Sequence, residues 1–183
     1  FTAQGMLSQG WSVIIPSYPQ APDVKITQIT HSISKLVYKI LDGCNGSIRM
    51  IGHSAGGHLA SRMICKNFLK KNMVKHIEKV ISVSGLYDLR PLLMTKLNDI
   101  LKLNYEEAVH ESCFLYDPID TKLTCWVGAS ERPEFLRQNR ILAEAWSKKS
   151  KNIESYYDPG KDHFTVIEQL EEKESLLTQS ITK

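Results

Sequence analysis

The chain has 183 residues, 42% of them hydrophobic, enough for one globular domain with a buried core. Lysine plus arginine number 23 against 20 for aspartate plus glutamate, and a net charge of +3 is too small a surplus to imply nucleic acid as a partner. No apolar run approaches the roughly 20 residues of a membrane-spanning helix, and no secretory signal is visible after Phe1.

In chain order, residues 1–9 read as the end of a helix closed by Gly10, and "WSVIIPS" (11–17) as a buried strand followed by a proline-rich loop. Residues 25–41 place Ile26, Ile29, Ile33, Leu36, Val37 and Ile40 at helical spacing. A turn at Gly43 to Gly46 precedes an apolar strand, Ile48 to Ile51, and a helix running to about Lys70. The densest basic stretch, "KNFLKKNMVKHIEK" (66–79), mixes apolar residues into its charges and reads as a solvated helix end and loop. "KVISVSG" (79–85) and "KLTCWVG" (122–128) are strands, with residues 86–121 irregular between them. Pro133 opens a helix over 133–149, "NIESYYD" (152–158) is a last strand, and a final helix spans about Phe164 to Thr178. Strands alternating with helices predict the α/β class, a parallel sheet covered on both faces, in a single domain over 1–183. Cysteines 44, 65, 113 and 125 form no C-x-x-C and pair with no histidine at metal-ligand spacing, so free thiols in a reducing, cytoplasmic setting are expected.

Ser54 lies in "GHSAGG" between the strand and the helix, the strand-to-helix corner that exposes a serine hydroxyl. Such a corner demands glycine on both sides, because a side chain would strike the neighbouring strand and helix. Ligands bind beyond the carboxyl ends of parallel strands, and two other strand ends carry Glu131 and His163. In that order the three suit nucleophilic catalysis: imidazole takes the serine proton, and a carboxylate orients the imidazole. The Ala55 N–H, opening the helix, is positioned to face an oxyanion. Each has a plainer reading, Ser54 as a turn residue and His163 as a loop cap. Glu134 and Asp88 are rival acids, Asp162 is better suited to ordering the loop backbone, and His53 and His58 are expected to be structural. Tyr18 and Tyr87, each following a strand end, are candidate substrate contacts.

The stretches "PSYPQAP" (16–22), "GHSAGGHLA" (52–60), "SGLYDLRPLL" (84–93), "ERPEFLRQ" (131–138) and "DHF" (162–164) together resemble the serine-dependent kynurenine formamidases (arylformamidases) of the α/β-hydrolase fold. The resemblance implies Ser54 as nucleophile, His163 as base and Glu131 in the acid position, where many members carry aspartate. It implies hydrolysis of a small-molecule substrate, N-formyl-L-kynurenine, to kynurenine and formate in tryptophan catabolism, with no cofactor or metal and no nucleic acid or membrane partner. A homodimer is left open. The family's H-G-G motif, which supplies the other half of the oxyanion hole, occurs nowhere in the sequence. The strand before that motif belongs between "WSVIIPS" and "IRMIG", so the chain is expected to be the C-terminal part of a longer protein. A general carboxylesterase and a non-catalytic binding protein on a hydrolase scaffold are the alternatives. "GHSAGG" lacks the G-x-G-x-x-G spacing of a dinucleotide site.

Overall fold

A computed structural model describes residues 1–43, 46–66, 68–69 and 74–183. Cys44 and Asn45 of the turn at 43–46 and part of the basic stretch at 66–79 lie outside the described residues.

The elements begin with a short helix, α1 (Gln4–Leu7), and a long one, α2 (Ile26–Gly43). The buried face of α2 is Thr30, Ser34, Val37 and Leu41, a helical spacing displaced from the isoleucines because Thr30 reaches into the molecule to bond Glu111 Oε2. Strand β1 (Ile48–His53) leads into α3 (Ala55–Met63), and β2 (Ile77–Val83) follows. A 3₁₀ turn at Arg90–Met94 and two short helices, α4 (Asn98–Leu101) and α5 (Tyr105–Glu111), lie within the irregular region. Then come β3 (Lys122–Gly128), α6 (Pro133–Ser147), β4 (Ile153–Asp158), α7 (Thr165–Glu168) and α8 (Leu176–Thr182).

The four strands form one parallel sheet in the order β1-β2-β3-β4. Alternate residues of β2 and β3 divide between two cores. Val80, Leu123 and Cys125 face Val37, Met63, Leu142 and Trp146 of α2, α3 and α6. Ile81, Val83 and Trp126 face Met6, Val166, Leu177 and Ile181 on the other side. Helices on both faces complete the α/β fold.

Three expectations need correction. Residues 11–20 form no strand, and Ile14 and Ile15 are 61% and 68% exposed. An extended segment becomes a strand only against a hydrogen-bonding neighbour, and none among the described residues pairs with it. The helix after Ser54 stops at Met63 rather than near Lys70, because the chain turns to bond the 117–119 segment (Ile119 N–H to Ile64 C=O, 2.8 Å; Lys66 N–H to Asp117 C=O, 2.8 Å). The final helix is two: α7 runs into a 3₁₀ turn, and Ser175 restarts α8 by accepting the Thr178 N–H.

Candidate active site

A ladder of backbone bonds across the sheet lines up the strand ends. Ser54 N–H donates to Val83 C=O (2.8 Å), Ser84 N–H to Trp126 C=O (2.7 Å), and Ala129 N–H to Asp158 C=O (2.8 Å). Each step carries the chain past one strand onto the end of the next, so groups far apart in sequence share one edge.

Ser54 has φ 55° and ψ −115°, a conformation that L residues rarely adopt, and its side chain does not cap α3. Ala55 is the first residue of α3 and is exposed, and a first-turn N–H has no acceptor within its own helix. Gly52 permits the corner, since a Cβ there would stand 2.1 Å from the Gly56 carbonyl oxygen. The second indispensable glycine is Gly57 rather than Gly56: a Cβ on Gly57 would lie 2.9 Å from Gly85 Cα, whereas one on Gly56 meets open space. Sequence pattern points to the wrong one of the pair because the crowding comes from β2, which no local spacing reveals.

His163 and Glu131 are brought together. His163 Nδ1 lies 2.7 Å from Glu131 Oε2, and Glu131 is buried while the imidazole is partly open to solvent. Burial pushes the Glu131 carboxyl upward, but hydrogen bonds from His163, Ser84 and the Gly128 N–H outweigh it and hold the group below its ordinary value. Asp88 is elsewhere, held by Arg90 (2.8 and 3.0 Å) and facing Arg137 at 3.7 Å. Glu134 pairs with Arg137 at 2.7 and 2.8 Å. The His163 loop is ordered by Asp162, whose Oδ1 accepts from the Phe164 and Thr165 N–H groups at 2.9 Å. Ser130 N–H bonds Lys161 C=O (2.9 Å) and ties this loop to the one bearing Glu131.

His53 is closer to the chemistry than its sequence position suggests. Its Nε2–H donates to the His163 carbonyl at 2.7 Å and the two rings stand 4.6 Å apart. Burial, then the proximity of His163, pushes its pKa down. Phe135 covers another side of His163 at 4.3 Å, and Phe164 meets it edge-on at 5.6 Å. Beside them opens a cavity of about 360 Å³ whose lining includes Ser130, Arg132, Phe135, His163 and Phe164. Among the described residues no hydrogen bond joins Ser54 Oγ to His163 Nε2; catalytic bonds of this kind are often long before substrate binds.

Tyr87 is not among the residues lining that cavity. It is wholly buried, with its hydroxyl 2.8 Å from Ser82 Oγ, because Gln138 clamps the chain there: Gln138 Oε1 accepts from the Tyr87 and Asp88 N–H groups at 2.8 Å. The Gln138 clamp joins "SGLYDL" to "PEFLRQ" physically. Tyr18 is half-buried in the 11–20 segment and does not line the cavity. Cys65 and Cys125 are pushed up by burial to about 11 and about 12, so neither supplies a thiolate nucleophile. Among the described residues no group of three or more His, Cys, Asp or Glu is placed to hold a metal, and no helix is long and apolar enough to cross a membrane.

A parallel sheet with a strained serine corner and a carboxylate–imidazole pair at its carboxyl edge defines the class, a hydrolase-type α/β site. No protein-family model matches the chain. Kynurenine formamidases of Danio rerio and Salmo salar are each 29% identical over the whole chain, which spans 65% of their length. A crystal structure from Silicibacter sp. TM1040, provisionally designated a thioesterase, is 41% identical with a TM-score of 0.92, covering 100% of this chain and 68% of that one. An esterase of Pyrobaculum calidifontis shares the fold at 14% identity, with a TM-score of 0.69 over 91% of this chain and 63% of its own. The chain has the α/β-hydrolase fold, belongs to one family with the Silicibacter protein, and is similar over its whole length to the kynurenine formamidases.

Proposed function

We propose that the protein is a serine hydrolase of aryl formamides, acting on N-formyl-L-kynurenine to give L-kynurenine and formate. The observation that carries the proposal is the 2.7 Å contact of His163 Nδ1 with Glu131 Oε2, at the same sheet edge as the strained Ser54. With Nδ1–H given to Glu131, Nε2 is the free lone pair that takes the Ser54 proton. Ser54 Oγ then bonds to the formyl carbon, and the Ala55 N–H donates to the developing oxyanion. Collapse of the tetrahedral intermediate breaks the C–N bond, and the proton on Nε2 passes to the departing aryl amine. Water, deprotonated by the same nitrogen, attacks the formyl ester and releases formate with the proton returned to Ser54. The exposed Phe164 and the cavity beside His163 support an aromatic substrate.

Hydrolysis of an ester or thioester is the second reading, favoured by the designation of the 41% identical relative. The test assays N-formyl-L-kynurenine, 4-nitrophenyl acetate and an acyl thioester with the parent, Ser54→Ala and His163→Ala proteins. Each substitution should lower turnover by about 10² to 10⁴, and the formamide should have the highest kcat/KM. Turnover retained by Ser54→Ala overturns the mechanism, and a preference for ester or thioester overturns the substrate.

A further inference from the structure

We propose that Ser84 is a positioning residue for this site: its hydroxyl, donated to Glu131 Oε1, fixes the carboxylate so that Oε2 faces His163. The inference rests on the roles given above to Ser54, Glu131 and His163.

Three observations converge on Ser84. It lies just past β2 with φ 51° and is only 1% exposed, a left-handed serine inside the protein. Strain of this kind survives only where the surroundings hold it, and it concentrates at functional sites. Second, the conformation aims the side chain across β3: the Ser84 N–H is spent on Trp126 C=O at 2.7 Å, leaving the hydroxyl to reach Glu131. Third, Oε1 receives two donors, the Ser84 hydroxyl and the Gly128 N–H at 3.0 Å, while Oε2 receives His163. The two oxygens are therefore not interchangeable.

The length of the acid explains the need for this tie. Glutamate has one more rotatable bond than aspartate, and its terminal torsion is broad. A carboxylate held at one oxygen alone would turn about that torsion and carry Oε2 away from the imidazole. The backbone N–H of Gly128 and the hydroxyl of Ser84 grip the other oxygen and remove that freedom. The Ser84 bond also draws charge from the carboxylate, which keeps the shared proton on His163 Nδ1.

The test is Ser84→Gly in the full-length protein, because glycine accepts a positive φ without strain and the fold should be at least as stable. Ser84→Ala, which keeps the Cβ and loses only the hydroxyl, is the second variant. Both should lower kcat about ten-fold on 4-nitrophenyl acetate and N-formyl-L-kynurenine with KM nearly unchanged, the effect of one hydrogen bond to a charged group. A melting temperature equal to or above the parent's in Ser84→Gly separates this loss from unfolding. A kcat matching the parent's in either folded variant, with Ser54→Ala inactive, overturns the inference alone. Hydrolysis that survives Ser54→Ala overturns the serine mechanism and this inference with it.

Discussion

His53 donates its Nε2–H to the backbone carbonyl of His163, so the residue before Ser54 holds the loop that carries His163. The bond couples the serine corner to the His163 loop without involving the Ser54 hydroxyl or the His163 ring. His53→Phe keeps a ring against His163 and removes the donor. Turnover should fall about two- to ten-fold, matching the modest net worth of a single neutral hydrogen bond. Steady-state kinetics check this; an unchanged kcat would mean that the 162–164 turn is held by Asp162 alone.

Glu131 and Asp88 should respond oppositely to loss of charge. Glu131→Gln leaves the shape but reverses the donor–acceptor match at His163 Nδ1, and turnover should fall by up to about 10⁴. Asp88→Asn weakens its bonds to Arg90, whose side chain is 40% exposed, and should cost about 1 kcal/mol of stability or less while sparing kcat. Urea titration and kinetics on both variants separate the two effects.

The two glycines after Ser54 differ in the same measurable way. Gly57→Ala forces a Cβ against backbone atoms of β2 and Gly85 and should destabilise by about 1–3 kcal/mol. Gly56→Ala enters open space on a helix, where alanine is favoured over glycine, and should be neutral or stabilising by up to about 1 kcal/mol. Denaturation midpoints of the two single variants decide it.

His58 gives a pH dependence whose sign follows from its surroundings. It is buried, with Nδ1 bonded to the Leu86 carbonyl at 3.0 Å and Nε2 without a hydrogen-bond partner, 3.9 Å from Glu111 Oε2. Burial lowers its pKa below 6.5, and the attraction of Glu111, itself bonded by Arg62 at 3.3 Å, does not reverse this. The unfolded chain therefore binds a proton that the folded chain resists. Stability is full above pH 6.5 and falls as pH drops through the lowered folded value. His58→Met should flatten that part of the thermal melting curve against pH; an unaltered slope would assign it to other groups.

What the sequence determines by itself is whatever local periodicity and local chemistry encode. Strands β2 and β3 are visible because buried parallel strands are continuous apolar runs, and Pro133 marks where α6 begins. Ser54, Glu131 and His163 are legible because each follows a strand, and strand ends are where a parallel sheet gathers its chemistry. Tertiary structure alone decides what depends on a neighbour distant in the chain. Among the described residues it leaves "WSVIIPS" without a pairing partner, buries Tyr87 under Gln138, and places Glu131 rather than Asp88 at His163 by giving Asp88 to arginine. It also turns Ser84, an ordinary serine in "VSG", toward Glu131 through a left-handed backbone that no residue pattern announces. Periodicity reports which side of an element is buried, but only packing determines which atom it meets there.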